Sequence, residues 1–227
     1  RLGPADRLRP GSVPVPESLT SGVVVTLAVQ QLRFAYPRGG EELFSGLSHD
    51  FATGALTAIT GPSGRGKSTL LYMLGLLLTP TEGHVLLDGT PVSAASDRVR
   101  AELRARRIGF VFQDSELDPT RKVIDSVLEP ALYAGWSRAE RLADARDLLT
   151  AFGLGNRAEH RPGQVSGGQA QRLAVCRALL NRPAVLLADE PTGNLDQRTA
   201  TLVLDALVEA AHARGSTVVI ATHDPFV

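Results

Sequence analysis

The 227-residue chain has one cysteine, one tryptophan and one methionine, and only 5% of it is aromatic. A single thiol, Cys176, excludes an intrachain disulfide and predicts a reducing compartment. Set in an apolar run, it reads as a small core residue rather than a nucleophile. Net charge is lacking too: 24 basic and 24 acidic residues cancel, which argues against a protein that coats nucleic acid. Lysine is scarce, Lys67 and Lys122 against 22 arginines. The longest apolar run, near Leu70–Leu78, is interrupted by Gly75 and is too short to span a bilayer. No apolar h-region follows Arg1, so no signal peptide is expected. Because Arg1 is not Met, the chain is expected to have lost its natural start.

What is present changes character at Val23. Residues 1–22 hold Pro4, Pro10, Pro14 and Pro16 among glycines and read as a flexible leader. "VVVTLAVQQLRFAY" is rich in β-branched residues and reads as a strand, followed by strands in "SHDFAT" and "ALTAITG". A helix over "KSTLLYMLGLL" leads to the hairpin "HVLLDGTPV", with Asp88-Gly89 at its bend. Residues 94–164 read as helical. "SDRVRAELRARR" is a charged helix, whose arginines are expected to form a solvated face with Asp97 and Glu102 rather than to touch lipid. "GWSRAERLADARDLLTAFGL" opens on a Ser137–Glu140 capping box, puts Leu142, Ala145, Leu149 and Phe152 on one face, and stops at Gly153. A helix ended by Pro183, the buried strand "AVLLAD", a helix from Gln197 to about Ala213 and the strand "TVVIAT" complete the chain. Strands alternating with helices predict an α/β fold with a mainly parallel sheet, and the helical middle predicts an inserted lobe.

Three stretches carry chemistry. Gly61-Pro62-Ser63-Gly64-Arg65-Gly66-Lys67-Ser68-Thr69 fits G-x-x-x-x-G-K-[ST], with an apolar strand before it and a helix after it. Glycines let the backbone wrap a polyphosphate, Lys67 neutralises the β and γ phosphates, and Ser68 offers a hydroxyl to Mg²⁺. In "VLLADEPTGNLD", Asp189 ends an apolar strand and Glu190 follows. At the carboxyl end of a parallel strand, Asp189 reaches the Mg²⁺ shell and Glu190 projects toward the γ phosphate, where a carboxylate orients or deprotonates water. The next apolar strand ends in Thr222-His223-Asp224, which brings His223 near the same phosphate. The third stretch, "VSGGQAQR", reads locally as a Ser166–Gln169 capping box. Yet glycine at 167 and 168 costs the first turn about 1 kcal/mol each relative to Ala. A phosphate approaching a helix N-terminus accounts for that bare backbone.

"GPSGRGKST", "VFQD", "VSGGQAQR", "VLLADEPTGNLD" and "ATHD" occur in the order found in ATP-binding cassette (ABC) ATPases, which the chain resembles from about Val23 to its end. "SGGQ" is that family's signature. "FVFQD", "PTGNLD" and "GLGNR" with "PGQVSGGQ" further resemble the macrolide-exporter and lipoprotein-releasing subgroup. The resemblance implies a P-loop NTPase with a RecA-like core, an N-terminal antiparallel β subdomain and an inserted α-helical subdomain. The core and β subdomain would span 23–93 and 166–227, and the helical subdomain 94–165. It implies ATP and Mg²⁺ as cofactors, with Tyr36 stacking on adenine and Gly61–Thr69 holding the phosphates. Ser68, Gln113 and Asp189 would serve the metal, and Glu190, His223, Lys67 and Gln113 would serve hydrolysis. Asp196 would communicate across a dimer in which each ATP lies between Lys67's loop and Ser166-Gly167-Gly168-Gln169 of a second subunit.

A separate transmembrane permease is the implied partner, placing the chain on the cytoplasmic side of the cell membrane. Val165 stands where the family usually has Leu. "DSELDPTRKVIDSV" follows Gln113 where the subgroup tends to be apolar. Family members usually continue well past the position of Val227, so truncation is expected. The leading function is the ATP-hydrolysing motor of a transporter. A regulatory cassette and a transport-independent ATPase are the alternatives; the latter usually carries coiled coils, a zinc site or a duplicated cassette, none of which the sequence shows.

Overall fold

The computed structural model describes residues 27–36, 42–62, 64–115, 117–193 and 195–223. The expected leader, the start of the first strand at Val23, Ser63 and Asp224 lie outside them. Two sheets organise these residues. β1 (Leu27–Phe34), β2 (Leu43–Phe51), β4 (Glu82–Leu87) and β5 (Thr90–Pro91) form an antiparallel sheet in the order β2-β1-β4-β5. The β4–β5 hairpin turns at Asp88 and Gly89, both at positive φ (52° and 74°), as a tight two-residue bend requires. The second sheet is parallel, ordered β3-β8-β7-β6, from β3 (Leu56–Ile59), β8 (Thr217–Ala221), β7 (Val185–Asp189) and β6 (Ile108–Val111).

β7 and β8 are apolar at almost every position because both of their faces are covered. Side chains alternate between two cores. Val185, Leu187, Val219 and Ala221 point into one core with α1 (Lys67–Leu74) and the antiparallel sheet. Leu186, Ala188, Val218 and Ile220 point into the other, with α3 (Val123–Tyr133), α4 (Arg138–Ala151), α5 (Gly167–Leu179) and α6 (Gln197–His212). Cys176 is fully buried in that second core, and burial pushes its thiol pKa well up, as a structural residue requires.

Residues 94–164 are not helical throughout. After the charged helix α2 (Asp97–Arg107), Ile108–Val111 forms β6 and pairs with β7 from Ile108↔Val185 to Val111↔Ala188. This part of the expected helical subdomain therefore belongs to the parallel sheet. The arginines of α2 have local partners: Arg100 meets Asp97 and Thr79, Arg106 meets Glu102, Arg107 meets Asp88, and Arg104 donates to the Leu76 carbonyl. Asp97 and Glu102 pair within the helix as expected, but Arg100, Arg104 and Arg107 are partly buried and reach Thr79, the Leu76 carbonyl and Asp88 outside it, so this side of α2 packs on the fold rather than facing solvent. The Ser137–Glu140 capping box forms as the sequence predicts, with Ala145, Leu149 and Phe152 buried beneath it. Among the described residues no helix is long and apolar enough to cross a membrane.

Candidate active site

All four parallel strands end at one edge, and the predicted chemistry collects there. Ile59, Ala221 and Asp189 are level in the sheet register, and Val111 pairs one residue earlier, with Ala188. Gly61 therefore follows β3, His223 follows β8, Asp189 and Glu190 end β7, and Gln113 follows β6. In an open parallel sheet this carboxyl edge is the ligand crevice.

The phosphate loop enters α1 through Gly66, whose φ of 86° is left-handed. A Cβ there would come 2.9 Å from the Phe44 ring, so β2 braces the loop from outside and only glycine fits. Among the described residues no side chain caps α1, and its first turn carries no acid. The positive end of the helix is left for an anion. α4, α5 and α6 differ, being capped by Ser137, Ser166 and Asp196. Lys67 Nζ donates to the carbonyls of Gly61 (2.8 Å) and Pro62 (3.2 Å), which holds the ammonium across the loop. Tyr36 stands beside the same helix. Its ring packs edge-on against Phe34, its hydroxyl is 2.9 Å from Thr69 Oγ1, and it is 47% exposed, leaving a face for a flat ligand.

Strand parity turns Asp189 to the α1 side, where the Ser68 hydroxyl bonds to its carboxyl. Asp189 is 2% exposed, and its Oδ2 has no partner among the described residues. Burial raises its pKa, helped by the neighbouring Glu190 charge and opposed by Ser68 and Lys67. A buried acceptor without a donor, beside a hydroxyl, is a half-built seat for a cation. Among the described residues no three His, Cys, Asp or Glu side chains cluster to hold a metal alone, so phosphate oxygens would have to complete the shell.

Glu190 leaves the strand at a φ of 45°. Its Oε1 lies 2.8 Å from His223 Nδ1, and its Oε2 accepts from Thr222 Oγ1 at 3.2 Å. Sequence reading had no role for Thr222 or Phe44. The signal for Thr222 was a hydroxyl directly after the buried run Val218–Ala221 and directly before His223.

Among the described residues, three predicted groups make no hydrogen bond or ion pair with Lys67, Asp189 or Glu190. Gln113 is exposed beyond β6. Ser166–Gln169 form the capping box at the start of α5: Ser166 N donates to Gln169 Oε1 at 2.9 Å, and Gln169 N to Ser166 Oγ at 3.3 Å. Ser166 and Gly167 are exposed, and a Cβ at Gly167 would meet nothing within 4 Å. The fold itself therefore does not demand that glycine. Asp196 caps α6 through Thr199, whose donors hold the carboxyl below its usual range.

Fold and loop together define a P-loop nucleoside-triphosphatase. Residues 44–193 match the family model described as ABC transporter, and the chain belongs to that family as an ATP-binding cassette and an ATPase. It is 45% identical over 201 residues to the lipoprotein-releasing system ATP-binding protein LolD of Paramagnetospirillum magneticum, covering 88% of this chain and 89% of that one. It is 48% identical over 183 residues to an uncharacterized ABC transporter ATP-binding protein of Thermotoga maritima, covering 81% and 78%. Among solved structures it resembles the dimeric ATP-binding cassette MJ0796, in a post-hydrolysis state bound to ADP and Pi. There the TM-score is 0.82, with 35% identity and 87% and 88% coverage.

Proposed function

We propose that the chain is the ATP-hydrolysing motor of a lipoprotein-releasing transporter. Two copies would close head to tail on two ATP molecules and drive a separate permease at the cytoplasmic face of the membrane. The observation that carries the reading is the convergence of Lys67, Asp189, Glu190 and His223 on one sheet edge, while Ser166–Gln169 face outward on α5. Tyr36 stacks the adenine, Gly61–Thr69 wrap the phosphates, and Lys67 swings from the loop carbonyls onto the β and γ oxygens. The Asp189 oxygen without a partner among the described residues and the Ser68 hydroxyl fit a magnesium ion, which when bound would neutralise charge on the β and γ phosphates, and Gln113 would have to swing in from beyond β6 to join them. Glu190 orients and deprotonates the attacking water, and His223 steadies the γ phosphate. Asp196 relays closure between copies.

A groove of about 770 Å³ opens between α2, β6, α3 and α5, lined among others by Phe110, Phe112, Tyr133 and Arg177. β6 is the sheet's edge strand, and a permease segment seated here would touch Phe112, the residue before Gln113, and act on Gln113 through it. The substrate class rests on likeness to relatives named for lipoprotein release.

The test is gel filtration of Glu190→Gln. It should elute as a dimer with Mg-ATP and as a monomer without it, while hydrolysing ATP at least a hundredfold more slowly than wild type, roughly the contribution of a general base. A monomer under both conditions at high protein concentration would sink the sandwich. Release of an acylated lipoprotein from vesicles holding the chain and its co-purified permease tests the substrate; no ATP-dependent release would reject it.

A further inference from the structure

β8 is followed by two residues with opposite surroundings. Thr222 is 0% exposed, and its amide donates to the Ile59 carbonyl at 3.1 Å, tying it to the strand that feeds the phosphate loop. The His223 side chain is 69% exposed. Both reach Glu190, Thr222 at Oε2 and His223 at Oε1. The β7–β8 register, Asp189↔Ala221, places the next residue of each strand side by side. The Glu190 amide adds a bond to the Ala221 carbonyl at 2.9 Å. One carboxylate oxygen is thus held by a group that cannot leave its place, and the other by a group free to turn into solvent.

We infer that Thr222 is a positioning residue for hydrolysis: its hydroxyl fixes Glu190 Oε2, so that Oε1 is the oxygen presented to the attacking water once His223 turns to the γ phosphate. This rests on Glu190 being the base, as proposed above. In the step itself, Oε1 takes a proton from water, the water oxygen bonds to the γ phosphorus, and the bond from that phosphorus to the ADP oxygen breaks. Thr222 keeps its own proton throughout. A glutamate side chain turns about several bonds, and a misplaced reacting group costs up to about a hundredfold in rate. A second, permanent anchor leaves the carboxylate one useful orientation.

The experiment compares steady-state ATP hydrolysis and thermal unfolding of wild type, Thr222→Val, Thr222→Ser and Glu190→Gln. Thr222→Val is nearly isosteric and should lose about tenfold in kcat, the worth of one hydrogen bond to a charged group. KM for ATP should stay within about twofold, and the unfolding temperature should fall by only a few degrees, about 2–8 °C, with the protein still folded. Thr222→Ser should keep most of the rate, and Thr222→Val placed on Glu190→Gln should add little. Wild-type kcat in Thr222→Val beside an inactive Glu190→Gln overturns this inference alone. Equal losses in the Ser and Val variants also overturn it, because packing rather than the hydroxyl would then matter. Full activity in Glu190→Gln, or none in wild type, overturns the reading beneath it as well.

Discussion

Asp189 shows how this site strains against its own fold. A carboxyl 2% exposed, with one oxygen unpartnered among the described residues, is a standing penalty in the free chain. Its pKa is raised, so the folded state holds the proton more tightly than the unfolded state. Its contribution is therefore most favourable at low pH and becomes unfavourable as pH rises through the raised value. Asp189→Asn should remove that penalty at neutral pH, raising Tm by about 2–4 °C for each ~1 kcal/mol recovered, while hydrolysis is lost. Calorimetry from pH 8 down to pH 4 checks this. The gain should be full at the upper end and shrink as pH falls through the raised pKa; a gain independent of pH would remove charge as the cause. Sequence made Asp189 and the loop legible because both depend on local spacing. It left Thr222 silent because a threonine ending a strand looks the same whether it caps a core or steers a carboxylate.

At the scale of elements, α1 and α5 solve the same problem differently. Both present a glycine-marked N-terminus. At α1 the glycine is imposed from within, by the Phe44 ring against Gly66; at α5 none of the described residues presses on Gly167. Gly167→Ala should thus leave the fold intact or stabilise α5 by up to about 1 kcal/mol, yet reduce ATP-driven dimerisation and hydrolysis by tenfold or more. Unfolding curves and light scattering with Mg-ATP separate the two effects; a variant that dimerises normally would show that no ligand approaches that backbone. β7 and β8 were readable as short, continuous apolar runs between turns, and α4 from its capping box and the spacing of Ala145, Leu149 and Phe152. β6 was not. Four residues wedged between an arginine-rich helix and "FQD" are too few to show a period, and only pairing with β7 fixes them as a strand.

For the whole molecule, the groove beside β6 is the surface on which the proposed partner would sit. Tyr133 is 70% exposed on its rim, and its hydroxyl donates to Glu129 at 2.8 Å. On the reading that a permease segment seats there, Tyr133→Ala should leave ATP affinity within about twofold while at least tenfold less chain co-sediments with membranes carrying the permease, the scale of losing an aromatic anchor. Unchanged sedimentation would move the docking surface elsewhere.

The outward-facing start of α5 has a kinetic meaning as well. On the proposed head-to-tail pairing, a chain that carries both the phosphate loop and the closing Ser166–Gln169 turn would hold two halves of different active centres. Turnover in dilute solution is then governed by encounter: the rate per chain climbs with concentration until pairing saturates. A permease that tethers two copies side by side supplies that concentration permanently, so assembly itself acts as the throttle on ATP consumption.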